Sequence, residues 1–207
     1  SSSTAILATL EGTFLKSLSS VANIAVDELG LMYTVTQGQT AAEQGQSVRK
    51  LSIAGADLIA VNYYSGSFVD VAVDRNMNIY AIDTYGVIYE YDSYGNLIFS
   101  FGYVDSEMQR VGLVSSAAAI DVSEDGVLYV LDKSKGIIQE YEPTDFAVKV
   151  HKGLSDYMDG KYAEAEINWE EIKKANTAFL FSYEALAKAS FKRQDYTQAM
   201  EYYKVAG

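Results

Sequence analysis

The feature that most constrains this fold is a strand-and-turn pattern that recurs along the first part of the chain. In its clearest copy, "FVDVAVDRNMNIYAIDTYGVIYEYDSYGNLIFSFG" (68–102), valines stand at every second position over 69–73, the period of a half-buried strand. Turn-forming residues then separate three further apolar runs, 79–83, 87–92 and 97–102. Four short strands joined by tight turns predict one small, twisted antiparallel sheet.

Two further copies flank this stretch. One is "AAIDVSEDGVLYVLDKSKGIIQEYEP" (118–143), and a weaker one is "NIAVDELGLMYTVT" (23–36). Three matched valines are 47 and 49 residues apart in the sequence: Val26, Val73 and Val122. Repeats of about 40–50 residues with four strands each are typical of β-propeller blades. We therefore predict a partial β-propeller of about three four-stranded blades.

The copies share a short motif of the form D-x-x-G/N-x-I/L-Y-V-x-D. It is written "DRNMNIYAID" and "SEDGVLYVLD", with "DELGLMYTVT" as a degenerate version. This motif resembles the NHL repeat, whose copies build propeller blades. Propellers close around their axis with about 4–8 blades, whereas three are predicted here, with a remnant strand in "AILATLEGTFLKSL" (5–18).

An unclosed set of blades leaves an apolar face and a sheet edge exposed. We therefore expect the chain to be a piece of a longer protein whose other blades lie N-terminal. The alternative is an open three-blade array that another chain completes.

After Pro143, the only proline, the apolar period changes from two to 3.6 residues. Pro, Thr and Asp at 143–145 are typical of a helix start. Helices are predicted to end near Met158, to span about 163–174 and 179–192, and to begin again near Tyr196. The predicted domains are a partial propeller, residues 1–143, and a helical domain, residues 144–207.

The helical domain also contains a repeat. Tyr162, Ala165 and Trp169 match residues 34 positions later, and Gly153 matches Ala187 at the same offset. A helix–turn–helix period of 34 residues resembles the tetratricopeptide repeat (TPR). Small residues at the matched positions let two helices approach closely, and aromatic residues fill the space beside them. The later partners are Tyr196, Ala199 and Tyr203.

Composition excludes several kinds of chemistry. With no cysteine, the chain has no disulfide, thiolate nucleophile or zinc–thiolate site. The net charge of −12 disfavours nucleic acid and anionic membrane surfaces as partners. No stretch approaches the roughly 20 apolar residues that a membrane span needs. No catalytic residue and no cofactor are predicted, and a divalent metal such as calcium has no support.

Three residues are candidates for chemistry. His151, the single histidine, lies in the first predicted helix without a cluster of carboxylates beside it, which favours a packing or surface role. Asp83 and Asp132 end equivalent strands. They could act as metal ligands in a propeller channel, but their recurrence with the repeat favours carboxylates that accept N–H groups of the following turn.

Exposed tyrosines near the blade turns are the candidate binding residues. They lie in the runs "NYYSGSF" and "IYEYDSYG" and in the turn between 83 and 87: Tyr63, Tyr64, Tyr85 and Tyr94. Tyrosines of this kind stack on sugar rings or contact proteins. The alternative is that aromatic residues in strands simply pack the blades.

NHL-type blades followed directly by TPR-type helices resemble a group of bacterial extracytoplasmic proteins. The resemblance covers residues 20–207, and it implies an extracytoplasmic location, at the cell surface or secreted. It favours a non-enzymatic binding or scaffolding protein whose propeller and TPR surfaces bind a protein partner, with carbohydrate as the alternative partner. The alternative is a metal-dependent sugar-lactone hydrolase, similar to gluconolactonase, with its site in blades absent from this chain.

Overall fold

The computed structural model describes residues 4–8, 14–19, 21–36, 48–60, 67–104 and 110–207. The chain divides into two compact units, Ser1–Glu142 and Pro143–Gly207. The first unit holds antiparallel sheets and the second holds helices.

The strands of the first unit form four sheets. A two-stranded sheet comes first: β1 (Thr4–Ala8) and β2 (Phe14–Ser19). Blade 1 is a four-stranded sheet: β3 (Val21–Val26), β4 (Met32–Thr36), β5 (Val48–Leu51) and β6 (Asp57–Ala60). Blade 2 has the same plan: β7 (Phe68–Val73), β8 (Ile79–Asp83), β9 (Ile88–Tyr91) and β10 (Leu97–Phe101). Blade 3 has three strands: β11 (Ala117–Val122), β12 (Leu128–Asp132) and β13 (Ile137–Tyr141).

These sheets fit a partial β-propeller, as the strand pattern predicted. The prediction of four strands was wrong for blade 3, which ends with β13. The reason is local: Pro143 has no N–H for a strand ladder, and the Thr144 hydroxyl accepts the Ala147 N–H at 3.2 Å and so begins a helix. The predicted remnant strand over 5–18 is a hairpin of two strands.

The blades stack face to face through their first strands. β7 contacts β3 on one side and β11 on the other. The Asn23 amide donates to the Val69 carbonyl at 2.9 Å, and the Asp70 carboxylate accepts the Ile120 N–H at the same distance. These two bonds join corresponding levels of neighbouring strands, and a second contact for each pair fixes their direction. Lys50, just before the turn 52–56, donates to the Ser93 carbonyl in the turn 92–96 at 3.0 Å. Val114, next to the Asp132 donor Ser115, lies against Gly86. The three first strands therefore run in the same direction.

Blade 2 is covered on both faces, which explains why β8 and β9 are buried throughout. One face packs on blade 1 through a cluster that includes Tyr33, Val35, Phe68 and Val71. The other face packs on blade 3 through Tyr80, Ile82, Ile88, Ile120 and Val130, among others. Burial on both faces replaces the alternation that a half-buried strand would show.

The second unit consists of four helices: α1 (Asp145–Met158), α2 (Tyr162–Ala175), α3 (Leu180–Lys192) and α4 (Tyr196–Ala206). They lie within one or two residues of the predicted limits. Each helix packs on the next along the chain. None of the described helices has the length and apolar character needed to cross a membrane.

Close packing between α1 and α2 depends on Gly153. A Cβ atom at this position would lie 2.7 Å from Cε2 of Trp169, so only glycine fits without movement. Trp169 is 1% exposed, whereas Tyr203, its counterpart 34 residues later, is 45% exposed. The predicted small-against-aromatic contact therefore forms in the first copy, whereas the aromatic residue of the second copy stays nearly half exposed.

Candidate binding surface

A recurring aspartate turn shapes the ends of the blades. After β8, the Oδ1 atom of Asp83 accepts the N–H groups of Tyr85 and Val87 at 2.8 and 3.0 Å. Gly86 supplies the left-handed backbone, φ +72°, that closes the turn. The predicted turn role of Asp83 is confirmed by these bonds.

The same geometry returns in the other hairpins. Aspartate Oδ1 atoms accept the N–H groups two and four residues later at three further turns: Asp27, Asp74 and Asp92. In three copies a tyrosine hydroxyl six residues downstream donates to the second carboxylate oxygen: Tyr33 to Asp27, Tyr80 to Asp74 and Tyr89 to Asp83. Burial raises the pKa of Tyr33, and the bond to Asp27 raises it further, so this hydroxyl stays a donor.

The Asp132 carboxylate accepts more backbone N–H groups than any of the four turn aspartates described above. Its carboxylate accepts the N–H groups of Ser134 and Lys135 in its own turn, and those of Ser115 and Ser116 in the connection before β11. Burial would raise the pKa of Asp132, but these four donors hold it below its ordinary value. The carboxylate thus joins a turn to a distant segment.

The hairpins place their turns at two opposite ends of the blades. The turn end comprises the turns after the first and third strands: 27–31, 52–56, 74–78, 92–96 and 123–127. The connection end comprises the turns after Asp83 and Asp132, together with the described parts of the link between blades 2 and 3: 84–87, 133–136, 102–104 and 110–116. Because the first strands run in the same direction, equivalent turns of the blades lie at the same end.

The four candidate tyrosines do not form one site. Tyr63 and Tyr64 lie outside the described residues. Tyr85 and Tyr94 are each 61% exposed, as a binding residue requires. They stand at opposite ends of β9, Tyr85 at the connection end and Tyr94 at the turn end, so a single ligand of small size cannot contact both.

Two exposed residues beside Tyr85 were not predicted. Tyr103 is 63% exposed and Val111 is 99% exposed, and both belong to the connection end. Tyr103 follows Gly102, where an added Cβ would lie 2.6 Å from the Gly86 carbonyl oxygen. The segments that carry Tyr85 and Tyr103 therefore continue the β9–β10 pair and touch at two glycines. The sequence held one signal, since Gly86 and Gly102 each adjoin a tyrosine.

The segment that presents Val111 is held by side chains of blade 3. The Lys135 ammonium donates to the carbonyls of Arg110 and Leu113, both at 2.9 Å. Gln139 accepts the Gly112 N–H at 2.8 Å and donates to the Leu113 carbonyl at 2.7 Å. The Tyr141 hydroxyl donates to the Gly112 carbonyl at 3.2 Å. Val111 thus stands at the tip of a fixed segment. We name Tyr85, Tyr103 and Val111 the apolar triad.

The described residues offer no arrangement suited to metal chemistry. Within the described ranges, no three His, Cys, Asp or Glu side chains are grouped so that they could hold a metal ion. His151 lies on α1 and is half-buried. Asp83 and Asp132 direct their oxygens to backbone N–H groups, as described above.

No family model matches this sequence, and no curated protein matches it. Among solved structures, the WD40 β-propeller domain of Doa1 is 12% identical, with a TM-score of 0.49, over 65% of this chain and 42% of that one. A protein of unknown function from Bacteroides caccae is 12% identical, with a TM-score of 0.45, over 66% of this chain and 49% of that one. The chain spans less than half the length of either structure.

Proposed function

We propose that this protein is a non-enzymatic binding or scaffolding protein that holds a protein partner at the connection end of its blades. The observation that carries this proposal is the apolar triad, in which Tyr85 and Tyr103 are exposed on neighbouring segments that touch at Gly86 and Gly102. Tyrosine contributes a large apolar contact area together with a hydroxyl for hydrogen bonding, and it is enriched among the residues that dominate protein interfaces.

The repeated carboxylates support a structural role for the blades. In the four aspartate turns and at Asp132, they accept backbone N–H groups, which leaves the exposed aromatic and apolar side chains as the groups available to a partner. No observation favours the sugar-lactone hydrolase, for which a set of metal ligands would be required.

The assignment of the blades to the NHL type and of the helices to the TPR type is part of the same proposal. The aspartate turns with their tyrosine partners support NHL-type blades, and the 34-residue offset with the Gly153–Trp169 contact supports TPR-type helices. An extracytoplasmic location follows only from the resemblance between this domain order and that of bacterial NHL/TPR proteins.

Selection of peptides on the immobilised full chain tests the function. Peptides from a random display library are selected on the wild type, synthesised and measured by titration. We expect binders whose affinity falls at least about 30-fold with the double variant Tyr85→Ser, Tyr103→Ser, because even one residue that dominates an interface contributes about 2 kcal/mol or more.

Tyr94→Ser is the matched control, because Tyr94 is exposed to the same extent as Tyr85 but lies at the turn end. It should leave the affinity unchanged. Thermal melting of each variant shows that the fold persists. A selection that yields no peptide dependent on Tyr85 and Tyr103 contradicts the proposed function.

A further inference from the structure

The outer strand of blade 3 lacks the neighbour that its counterparts have in the other two blades. In blade 1, β5 lies between β4 and β6, and in blade 2, β9 lies between β8 and β10. Within the described ranges, β13 pairs with β12 alone. A strand with a single partner presents a row of N–H and C=O groups that can pair with another extended chain. The outer edge of β13 is such a row.

The hydrogen bonds of blade 3 show which residues face this edge. Successive residues of a strand bond alternately to the neighbours on its two sides. The Lys133 N–H donates to the Ser116 carbonyl at 2.9 Å, so β12 bonds to β11 through its odd-numbered residues and to β13 through its even-numbered ones. These even-numbered residues pair with the odd-numbered residues of β13. The main-chain groups of Ile138 and Glu140 therefore point outward.

The equivalent residues of blade 2 are covered. By the same alternation, Ile88 and Glu90 direct their main-chain groups to β10, which pairs with them. Ile88 is 0% exposed and Glu90 is 3% exposed. In blade 3, Ile138 is 64% exposed and Glu140 is exposed as well. A ligand can therefore reach the edge of β13.

We propose that the outer edge of β13 is a second binding site, which takes an extended segment of a partner protein as the fourth strand of blade 3. Only another extended backbone has N–H and C=O groups at the spacing of this edge. The fourth strands of blades 1 and 2, β6 and β10, are antiparallel to their neighbours, so we expect the same orientation here.

The side chains beside the edge define the segment further. Leu131 and Ile138 are paired across β12 and β13 and are 40% and 64% exposed, so an apolar side chain of the added strand lies best beside them. A second copy of this chain is a poor occupant, because each copy carries a net charge of −12. None of these residues belongs to the apolar triad, so the site is an addition to the proposed function.

A labelled peptide with the β10 sequence, residues 95–102, is the probe, because β10 occupies the equivalent edge in blade 2. It carries two lysines at each end for solubility, and its fluorescence anisotropy is titrated with the full chain. N-methylation at Phe101, which pairs with the outward residue Ile88 in blade 2, should weaken binding at least about tenfold. The reason is that a hydrogen bond is lost and the methyl group keeps the two backbones apart. N-methylation at Ser100, whose N–H faces away from the edge, should change the affinity by no more than about twofold.

Two substitutions at one position of the protein complete the test. Ile138→Pro removes an outward N–H, and an edge strand tolerates proline, so the peptide should bind at least about tenfold more weakly. Ile138→Thr keeps the N–H and the β-branched shape and should leave the affinity within about threefold. Thermal melting shows that both variants keep their fold. The double variant Tyr85→Ser, Tyr103→Ser should bind this peptide like the wild type.

Several results would overturn the inference. These are no binding of the unmodified peptide, equal effects of the two N-methyl groups, and equal affinities of the Pro and Thr variants. Sedimentation that shows a dimer of the wild type, lost in Ile138→Pro, would identify a second copy as the occupant and would overturn it too. In each case the proposed function would stand, because its test uses other residues.

Discussion

The two units of this protein both repeat, but different interactions hold their copies. In the blades, each of the four aspartates at the hairpin turns, 27, 74, 83 and 92, accepts N–H groups two and four residues later, so a turn contains its own stabilising contact. In the helices, the corresponding contact joins Gly153 on α1 to Trp169 on α2 and is purely a matter of shape. A packing contact depends on the neighbouring helices: Trp169 is also covered by Phe181 of α3, whereas Tyr203 lies on α4, which packs mainly on α3. This explains why Tyr203 is buried only partly.

The largest effect is expected from a substitution that removes the contact between Gly153 and Trp169. Trp169→Ala removes a fully buried indole and should lower the free energy of unfolding of the helical unit by about 3–5 kcal/mol. Tyr203→Ala, at the equivalent position 34 residues later, should cost only about 1 kcal/mol because its side chain is 45% exposed. Urea unfolding followed by the helical far-UV signal measures both losses. Equal losses would mean that the two helical copies are packed alike.

The next largest effect is expected from a substitution that removes the hydrogen bonds of Asp132 in the blades. Asp132→Ala leaves the N–H groups of Ser115, Ser116, Ser134 and Lys135 without their acceptor and should cost about 3 kcal/mol. Near-UV signals of the tyrosines measure the loss. Fluorescence of Trp169, the single tryptophan, reports the helical unit in the same sample.

Asp125→Ala is the control for this variant, because Asp125 is an exposed residue of the turn 123–127. It should change stability by no more than about 0.5 kcal/mol. If both aspartate variants melted alike, the hydrogen bonds of Asp132 would contribute nothing measurable.

The range of each contact also decides what could be predicted from sequence. The turn bonds of Asp83 span four residues, so turn-forming residues between apolar runs were sufficient to place both the strands and the role of the carboxylate. The bond from Ser115 to Asp132 spans 17 residues and joins a connection to a turn, which no local pattern indicates. The third strand of blade 3 was predicted correctly, but nothing in its apolar run showed that a fourth would be missing.

The candidate surface was only partly predictable for the same reason. Tyr85 was found because it lies in a turn, and counting hairpins would already have separated it from Tyr94. Tyr103 and Val111 were missed because their positions depend on the close contact of Gly86 with Gly102 and on bonds from Lys135 and Gln139, which no local pattern indicates.

Acid unfolding sharpens the comparison between two aspartates of the blades. The pKa of Asp132 is held below its ordinary value of 3.8 despite burial. Its contribution to the stability of the blades is therefore present above pH 3.8 and is lost as the pH falls through the folded-state pKa. Burial raises the pKa of Asp70 above the same ordinary value, although two N–H groups oppose this. The contribution of Asp70 to the stability of the blades is therefore greatest below pH 3.8 and is lost as the pH rises through its folded-state pKa.

Asp132→Asn should thus make the blades less sensitive to acid, and Asp70→Asn should make them more sensitive. Melting temperatures of the two variants and the wild type, measured from neutral pH downward, test the opposite signs. A shift of the same sign in both variants would contradict this assignment.

The smallest effect is expected at the turn between the two helices of each copy, where the backbone is left-handed in both copies. Gln194 is exposed and has φ +67°, while Gly160, its counterpart 34 residues earlier, has φ +77°. Side chains other than glycine are strained in this region. Gln194→Gly should therefore raise the stability of the helical unit by about 0.5 kcal/mol, the relief of strain less the flexibility gained by the unfolded chain.

Gly160→Gln is the reciprocal change and should lower stability by a similar amount. Precise chemical denaturation of the pair, with Trp169 fluorescence as the signal, measures these differences. A gain from both substitutions, or a loss from both, would show that the two turns are not equivalent.

The close contact of Gly86 with Gly102 has a thermodynamic consequence. Since the two segments touch where only a hydrogen atom fits, the backbones beneath Tyr85 and Tyr103 are ordered before any ligand arrives. Association at this place then loses little conformational entropy, and calorimetry of a selected peptide should show a small entropic penalty. Replacing either glycine by alanine would loosen this contact and shift that penalty onto the binding step.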